Sequence, residues 1–420
     1  MNSRERLTAT LEHRQPDKVV IDIGSTGVTA FSATVLTRLR EKLGMEKKLV
    51  KCYEPYFGQA EMEEDDLKAF GVDVVRVAQP YASFGYKNDK WKKWTVPCGV
   101  EVLVGEGFTI EDGKDGYHYI YPQGDKTVPP SARIPYGGFF ADCISRQEDI
   151  DEDKLDARKD FANDFKPYSD EVFNYIKDQV NYYNDNTEYG INVGGFMCGL
   201  GDAGGWLGPS LKKTPGIRNL DDWMCAFYTN PDYVKEVYAL QEEVAMSKLK
   251  RLKDEIGDKF QVIQMSATDF GTQNGEFISP ELFREFYKPI YTRLNNWVHE
   301  NTNWKTFYHS CGSIVNLLDD FVEMGVDILN PVQTSAKGMD PKFLKEKYGD
   351  KFTFWGGGVD TQKILPFGTP EDVFKDVYER LTIFAPGGGF VFNPIHNVVG
   401  NVPPENLIAM FDAIDKYNNR

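Results

Sequence analysis

Lys305-Thr-Phe-Tyr-His309, then Ser310-Cys-Gly312, a helix-periodic stretch from Ser313 to Met324, and Asp327-Ile-Leu-Asn330 form the segment on which the reading of this chain turns. A short β-rich apolar run, an amphipathic helical segment and a second short run, joined by few residues, make one βαβ unit with buried parallel strands. The same rhythm extends in both directions. Upstream lie the runs Val19 to Asp22, Val72 to Val77, Ile191 to Met197 and Gln261 to Ser266, and downstream lie Phe352 to Trp355 and Gly389 to Asn393. Helical periodicity marks Asp170 to Val180, Pro231 to Glu255, Pro280 to Glu300, Pro370 to Phe384 and Pro404 to Tyr417, several opening on Ser, Thr or Pro. Eight strand runs alternating with helices predict an α/β fold, a (β/α)8 TIM barrel.

One stretch breaks the rhythm. From Tyr81 to Arg146 the chain reads Trp91-Lys-Lys-Trp-Thr-Val96, Val100-Glu-Val-Leu-Val-Gly105 and Tyr117-His-Tyr-Ile-Tyr-Pro122, with turn residues between. These are hairpin signals without helices. The expectation is a single barrel domain over residues 1–420 that carries residues 81–146 as a β-rich insertion after the second strand. The insertion is read either as a lid or partner-docking surface, or as a scaffold extension with no part in chemistry.

Composition narrows the function classes. The chain has 420 residues, 41% of them hydrophobic, and a net charge of −16, so it can bury a large core and would repel phosphate backbones and anionic membranes. The one basic cluster, Lys87 to Lys93, reads as a solvated hairpin. No apolar run approaches a membrane span and the first residues lack the apolar core of a secretion signal, so a cytoplasmic protein without nucleic-acid or membrane partners is expected. The six cysteines form no CxxC pair and read as reduced thiols.

In such barrels the active site lies at the C-terminal strand ends. His309 and Cys311 sit two apart at the end of the fifth run, so both can face one metal, and His396 closes the eighth in Phe390-Val-Phe-Asn-Pro-Ile-His396. A His, Cys, His set with a fourth position open has the composition of a catalytic zinc site; the competing reading is a satisfied core histidine beside a buried cysteine. Asp269 and Glu276 follow the fourth run, Gln333 the sixth and Asp360 the seventh, which brings further polar groups to the same rim. Asp269 and Asp360 also suit helix N-caps. Gly356-Gly-Gly358 could bring backbone amides to a phosphate, but with no basic residue nearby it reads as relief of crowding where the backbone turns, and Phe196, Trp206 and Trp355 are assigned no role.

At these residues the chain resembles the uroporphyrinogen decarboxylase superfamily, which includes corrinoid-dependent methyltransferases. The likeness rests on Ser3-Arg-Glu-Arg-Leu-Thr-Ala-Thr-Leu-Glu-His-Arg-Gln-Pro-Asp-Lys18, on His309-Ser-Cys-Gly312, and on Phe390 to His396 with Val402-Pro-Pro-Glu-Asn-Leu407. The methyltransferase branch binds zinc through a His-x-Cys after strand five, matched here by His309 and Cys311, and usually a Cys after strand eight, where this chain has His396. True decarboxylases carry arginines after strand one and an aspartate after strand two, where this chain reads Ile21-Asp-Ile-Gly-Ser-Thr-Gly-Val-Thr-Ala30 and Val75-Arg-Val-Ala78. The resemblance therefore implies a zinc-dependent methyltransferase exchanging a methyl group between a small donor or acceptor and a corrinoid (cobalamin) carried by a partner protein, with Asp269, Glu276, Gln333 and Asp360 assisting. A metal-free decarboxylase-like lyase and a non-catalytic corrinoid-handling barrel remain as alternatives. The sequence leaves the oligomeric state open, a homodimer included.

Overall fold

The computed structural model describes residues 1–194, 201 and 207–419. Phe196, Trp206, Cys198 and the end of the third run, 195–197, lie outside the described residues. The barrel strands are β1 (Val20–Ile21), β2 (Val74–Val77), β3 (Gly190–Val193), β4 (Val262–Ser266), β5 (Lys305–His309), β6 (Ile328–Asn330), β7 (Thr353–Trp355) and β8 (Phe390–Phe392). All pairings are parallel, in the order β1-β8-β7-β6-β5-β4-β3-β2, with Val20 opposite Val391 and Asn192 opposite Arg76. The ring is closed between β1 and β2 by one backbone hydrogen bond, from Asp73 N–H to the Ile21 carbonyl at 2.8 Å. The expected eight-stranded α/β barrel is thus the observed architecture, with β5 as long as its apolar run and β1, β2, β4, β6, β7 and β8 shorter than theirs.

Layering explains the shortening. Val20, Val74, Val262, Phe307, Ile328, Trp355 and Val391 meet in one apolar cluster inside the ring, closed by Leu7 and Leu11 of the first helix, Ser3–Leu11. That helix starts in a capping box between Asn2 and Glu5, and a Cβ on Gly190 would collide with Leu7. Side chains two positions further along the strands face the same way, and here they are polar: Asp22, Gln264, His309, Asn330 and Asn393, all buried. Their hydrogen bonds run between side chains and loops rather than along a ladder, so regular pairing stops where the polar layer begins.

Helices cover the outside as the periodicity predicts, with two differences. The stretch expected from Ser313 is helical over Leu318–Glu323 only, because Ser313 N–H donates to the Thr272 carbonyl and Asn316 N–H to Glu276, which hold its first residues in a loop. The helix expected from Pro280 contains a π-turn at Phe283–Tyr287 just before Pro289, whose missing N–H cannot continue the ordinary ladder. Between β2 and β3 the chain forms the antiparallel hairpin Lys92–Thr95 with Glu101–Val104 and a four-stranded antiparallel sheet of Ile110–Asp112, Tyr117–Ile120, Ala132–Pro135 and Asp142–Cys143. Lys87 and Lys93 pair with Glu171 and Glu101 at the surface, as a solvated hairpin should.

Candidate metal centre

The loop that follows β5 is fixed amide by amide. Ser310 N–H donates to the Asn330 carbonyl, Cys311 N–H to the Asp269 carboxylate, Gly312 N–H to Gln333 Oε1 and Ser313 N–H to the Thr272 carbonyl, each at 2.7 Å. Gly312 takes φ +87°, and a Cβ there would strike the backbone of Gly271, so glycine is what lets the loops after β4 and β5 touch. Ser310 Oγ accepts from Phe270 N–H at 2.9 Å and ties the same two loops from the other side.

Clamped this way, β5 presents His309 and Cys311 together: Nε2 lies 3.3 Å from Sγ. His396, arriving after β8, stands edge to face with His309 at a ring separation of 5.3 Å. One ligand atom from each of His309, Cys311 and His396 falls within 4.8 Å of the others. Tetrahedral zinc holds sulfur and nitrogen ligands roughly 3.6 Å apart, so the three side chains fit that ion with small rotations.

The tautomers suit the same task. Asn330 Nδ2 donates to the Trp355 carbonyl at 2.8 Å, which turns Asn330 Oδ1 toward His309 Nδ1 at 2.6 Å. An amide oxygen only accepts, so His309 carries its proton on Nδ1 and its Nε2 lone pair faces Cys311. His396 Nδ1 contacts Asn397 Oδ1 and leaves its own Nε2 as acceptor. Burial, then the neighbouring His309, pushes the His396 imidazole down to about 4, so it is neutral at pH 7. Burial and the Asp269 carboxylate push the Cys311 thiol up, and a cation at this position would reverse that preference.

The other residues singled out in the sequence divide. Asp269 joins the cluster, 3.6 Å from His309 Nε2, with its side chain about half exposed. Gln333 stands just behind it, bound to Gly312 N–H and to Gln273. Glu276 is not brought into the cluster by its contacts: its carboxylate holds Asn316 N–H and Nδ2. Asp360 caps its own turn, accepting from Gln362 and Lys363 N–H at 2.7 and 3.0 Å. Gly356 and Gly357 adopt φ +98° and +80°, and a Cβ on Gly357 would crowd Val332, in keeping with relief of crowding.

Sequence reading missed Asn330 and Asp22. Asp22 is fully buried beside β1 and accepts from Ser25 N–H and Oγ and from the Trp355 indole N–H at 2.7 Å; burial pushes its carboxyl up to about 6. Both residues close otherwise apolar strand runs, and a polar residue at such an end was the available signal.

Residues 210–417 match the family model described as uroporphyrinogen decarboxylase (URO-D). Among curated proteins, the chain is 25% identical over 227 residues to "Uroporphyrinogen decarboxylase" of Geotalea uraniireducens, covering 53% of this chain and 61% of that one. It is 24% identical over 211 residues to the protein of the same name from Pseudoalteromonas atlantica, covering 47% and 57%. The matched segment thus spans about three fifths of the length of these relatives. A solved structure, "methyltransferase from Methanosarcina mazei", superposes over 99% of both chains with a TM-score of 0.55 at 15% identity, a likeness of fold. Residues 210–417, which carry the three candidate metal ligands, are thus similar in sequence to the uroporphyrinogen decarboxylase (URO-D) family.

Proposed function

We propose that this barrel is a zinc-dependent methyltransferase. In this reading His309, Cys311 and His396 hold the ion, and a methyl group passes between a small substrate of thiol, methyl ether or methylamine type and a corrinoid on a partner protein. The observation that carries the reading is the approach of the three ligand atoms to within 4.8 Å at the C-terminal rim. Zinc, when bound there, supplies a Lewis acid that favours a thiolate or polarises the heteroatom bearing the methyl group.

The chain's own groups do the rest. Asn330 holds His309 in the tautomer that offers Nε2, and Asp269 and Gln333 hold the Cys311-Gly312 backbone. Asp269, half exposed beside the cluster, is the carboxylate that would take a proton from a substrate thiol. Glu276 and Asp360 act at one remove, shaping the loops after β4 and β7.

Purified protein should bind about one zinc per chain, and Cys311→Ala or His309→Ala should lose most of it while remaining folded. The same variants should lose methyl exchange between a methylated substrate or thiol and free cobalamin, followed by the cobalamin spectrum. Wild-type protein that stays metal-free after reconstitution sinks this reading. A second reading, a metal-free decarboxylase-like lyase, is favoured by the names of the curated relatives. It predicts carbon dioxide release from a carboxylated tetrapyrrole that is indifferent to chelators.

A further inference from the structure

Past the one backbone hydrogen bond that joins them at Asp73, β1 and β2 part, and a cavity of about 240 Å³ opens between Ile23 and Gly24 on one side and Val74, Val75, Arg76 and Ala78 on the other. Among its lining are Arg76, Asn88, Trp91, Tyr175 and Gln179. Arg76 decides its character. Its guanidinium lies 3.9 Å over the ring of buried Tyr53, and among the described residues it makes no hydrogen bond or ion pair. Glu54, an acid that feels its charge, is taken up by Ser83 N–H, Ser83 Oγ and Tyr56 N–H. A guanidinium held flat by stacking keeps its N–H edges free for a planar, two-pronged acceptor.

The surroundings point the same way. The lining carries two cations, Lys51 and Arg76, against one carboxylate, Glu61, in a chain whose net charge is −16. Lys51 is already bridged to Glu61 and Glu63, so Arg76 is the uncommitted charge. Trp91 and Tyr175 add flat apolar surface, which suits a ring better than a small inorganic ion.

We propose that this seam cavity binds a small organic carboxylate with a flat apolar body, the carboxylate pairing with Arg76. The proposal is independent of the metal centre, whose ligands come from β5 and the segment after β8. Benzoate is the probe, with acetate and sulfate as controls for the ring and for charge alone, titrated into the full chain by calorimetry and by tryptophan fluorescence. Benzoate is expected to bind saturably, at least about tenfold more tightly than acetate or sulfate, and to change the Trp91 emission. Arg76→Gln should weaken benzoate at least about tenfold, with zinc content and melting temperature unchanged. Tyr175→Ala, at an exposed helix position, gives a second variant expected to weaken benzoate should Arg76→Gln misfold. Failure of benzoate to saturate by about 10 mM, equal affinity in wild type and Arg76→Gln, or sulfate binding as tightly as benzoate would each overturn the assignment.

Discussion

Asn330 shows how much of a candidate metal centre lies outside its proposed ligands. It joins the Trp355 carbonyl to His309 Nδ1 and so decides which histidine nitrogen faces Cys311. Asn330→Ala should leave all three ligands in place yet lower zinc affinity by about 10 to 100-fold, read by competition with a chromophoric chelator. Asp22 gives a prediction in pH. Its carboxyl stands at about 6 in the folded protein against an ordinary 3.8, so the folded state holds a proton that the unfolded chain has released. The stability this contributes is complete below about pH 4 and is lost as the pH rises through 6. The difference in unfolding free energy between wild type and non-titrating Asp22→Asn should therefore shift toward wild type by roughly 2 kcal/mol between pH 7.5 and 4.5. Urea unfolding at the two pH values measures it, and a constant difference would show that Asp22 does not titrate in this range.

At the scale of elements, the seam between β1 and β2 depends on Asp73. Its side chain accepts from Ser3 Oγ, Arg6 Nη1 and Ile21 N–H, so one buried carboxylate joins the first helix, β1 and β2. Asp73→Ala removes all three bonds and leaves Arg6 paired with Asp17 alone, and should cost on the order of 2 kcal/mol in a denaturant titration. The seam was invisible in the sequence because it rests on side chains far apart in the chain, not on a periodic run. What was legible is local. The run Lys305 to His309 is observed as β5 residue for residue, and Pro231 to Glu255 and Pro370 to Phe384 are helices with the expected bounds. His-x-Cys was legible because strand alternation converts a spacing of two into a shared face; Glu276 and Asp360 looked equivalent to Asp269 because position after a strand does not say which way a loop turns.

At the scale of the molecule, the insertion shares the apolar cluster in which the covering helices pack. Val102, Val104, Phe108, Ile120 and Ile134 belong to the same buried cluster as Phe31, Val35 and Leu36, and Leu103 N–H donates to the Val50 carbonyl. Removing residues 81–146 behind a short linker should therefore abolish cooperative melting, seen by calorimetry. A deleted protein that melts as sharply as the full chain would make the segment a separable accessory.

The parallel ladder between Val20 and Val391 also sets a schedule for synthesis. These partners are 391 − 20 = 371 residues apart, and at about 5 to 20 residues per second β1 leaves the ribosome roughly 20 to 75 seconds before the strand that gives it a ladder exists. During that interval Val20 and Ile21, with Leu7 and Leu11 behind them, are exposed apolar residues on a nascent chain. The earliest part of the barrel to be translated is thus among the last to be completed, and a chaperone bound to the growing chain would find its target there.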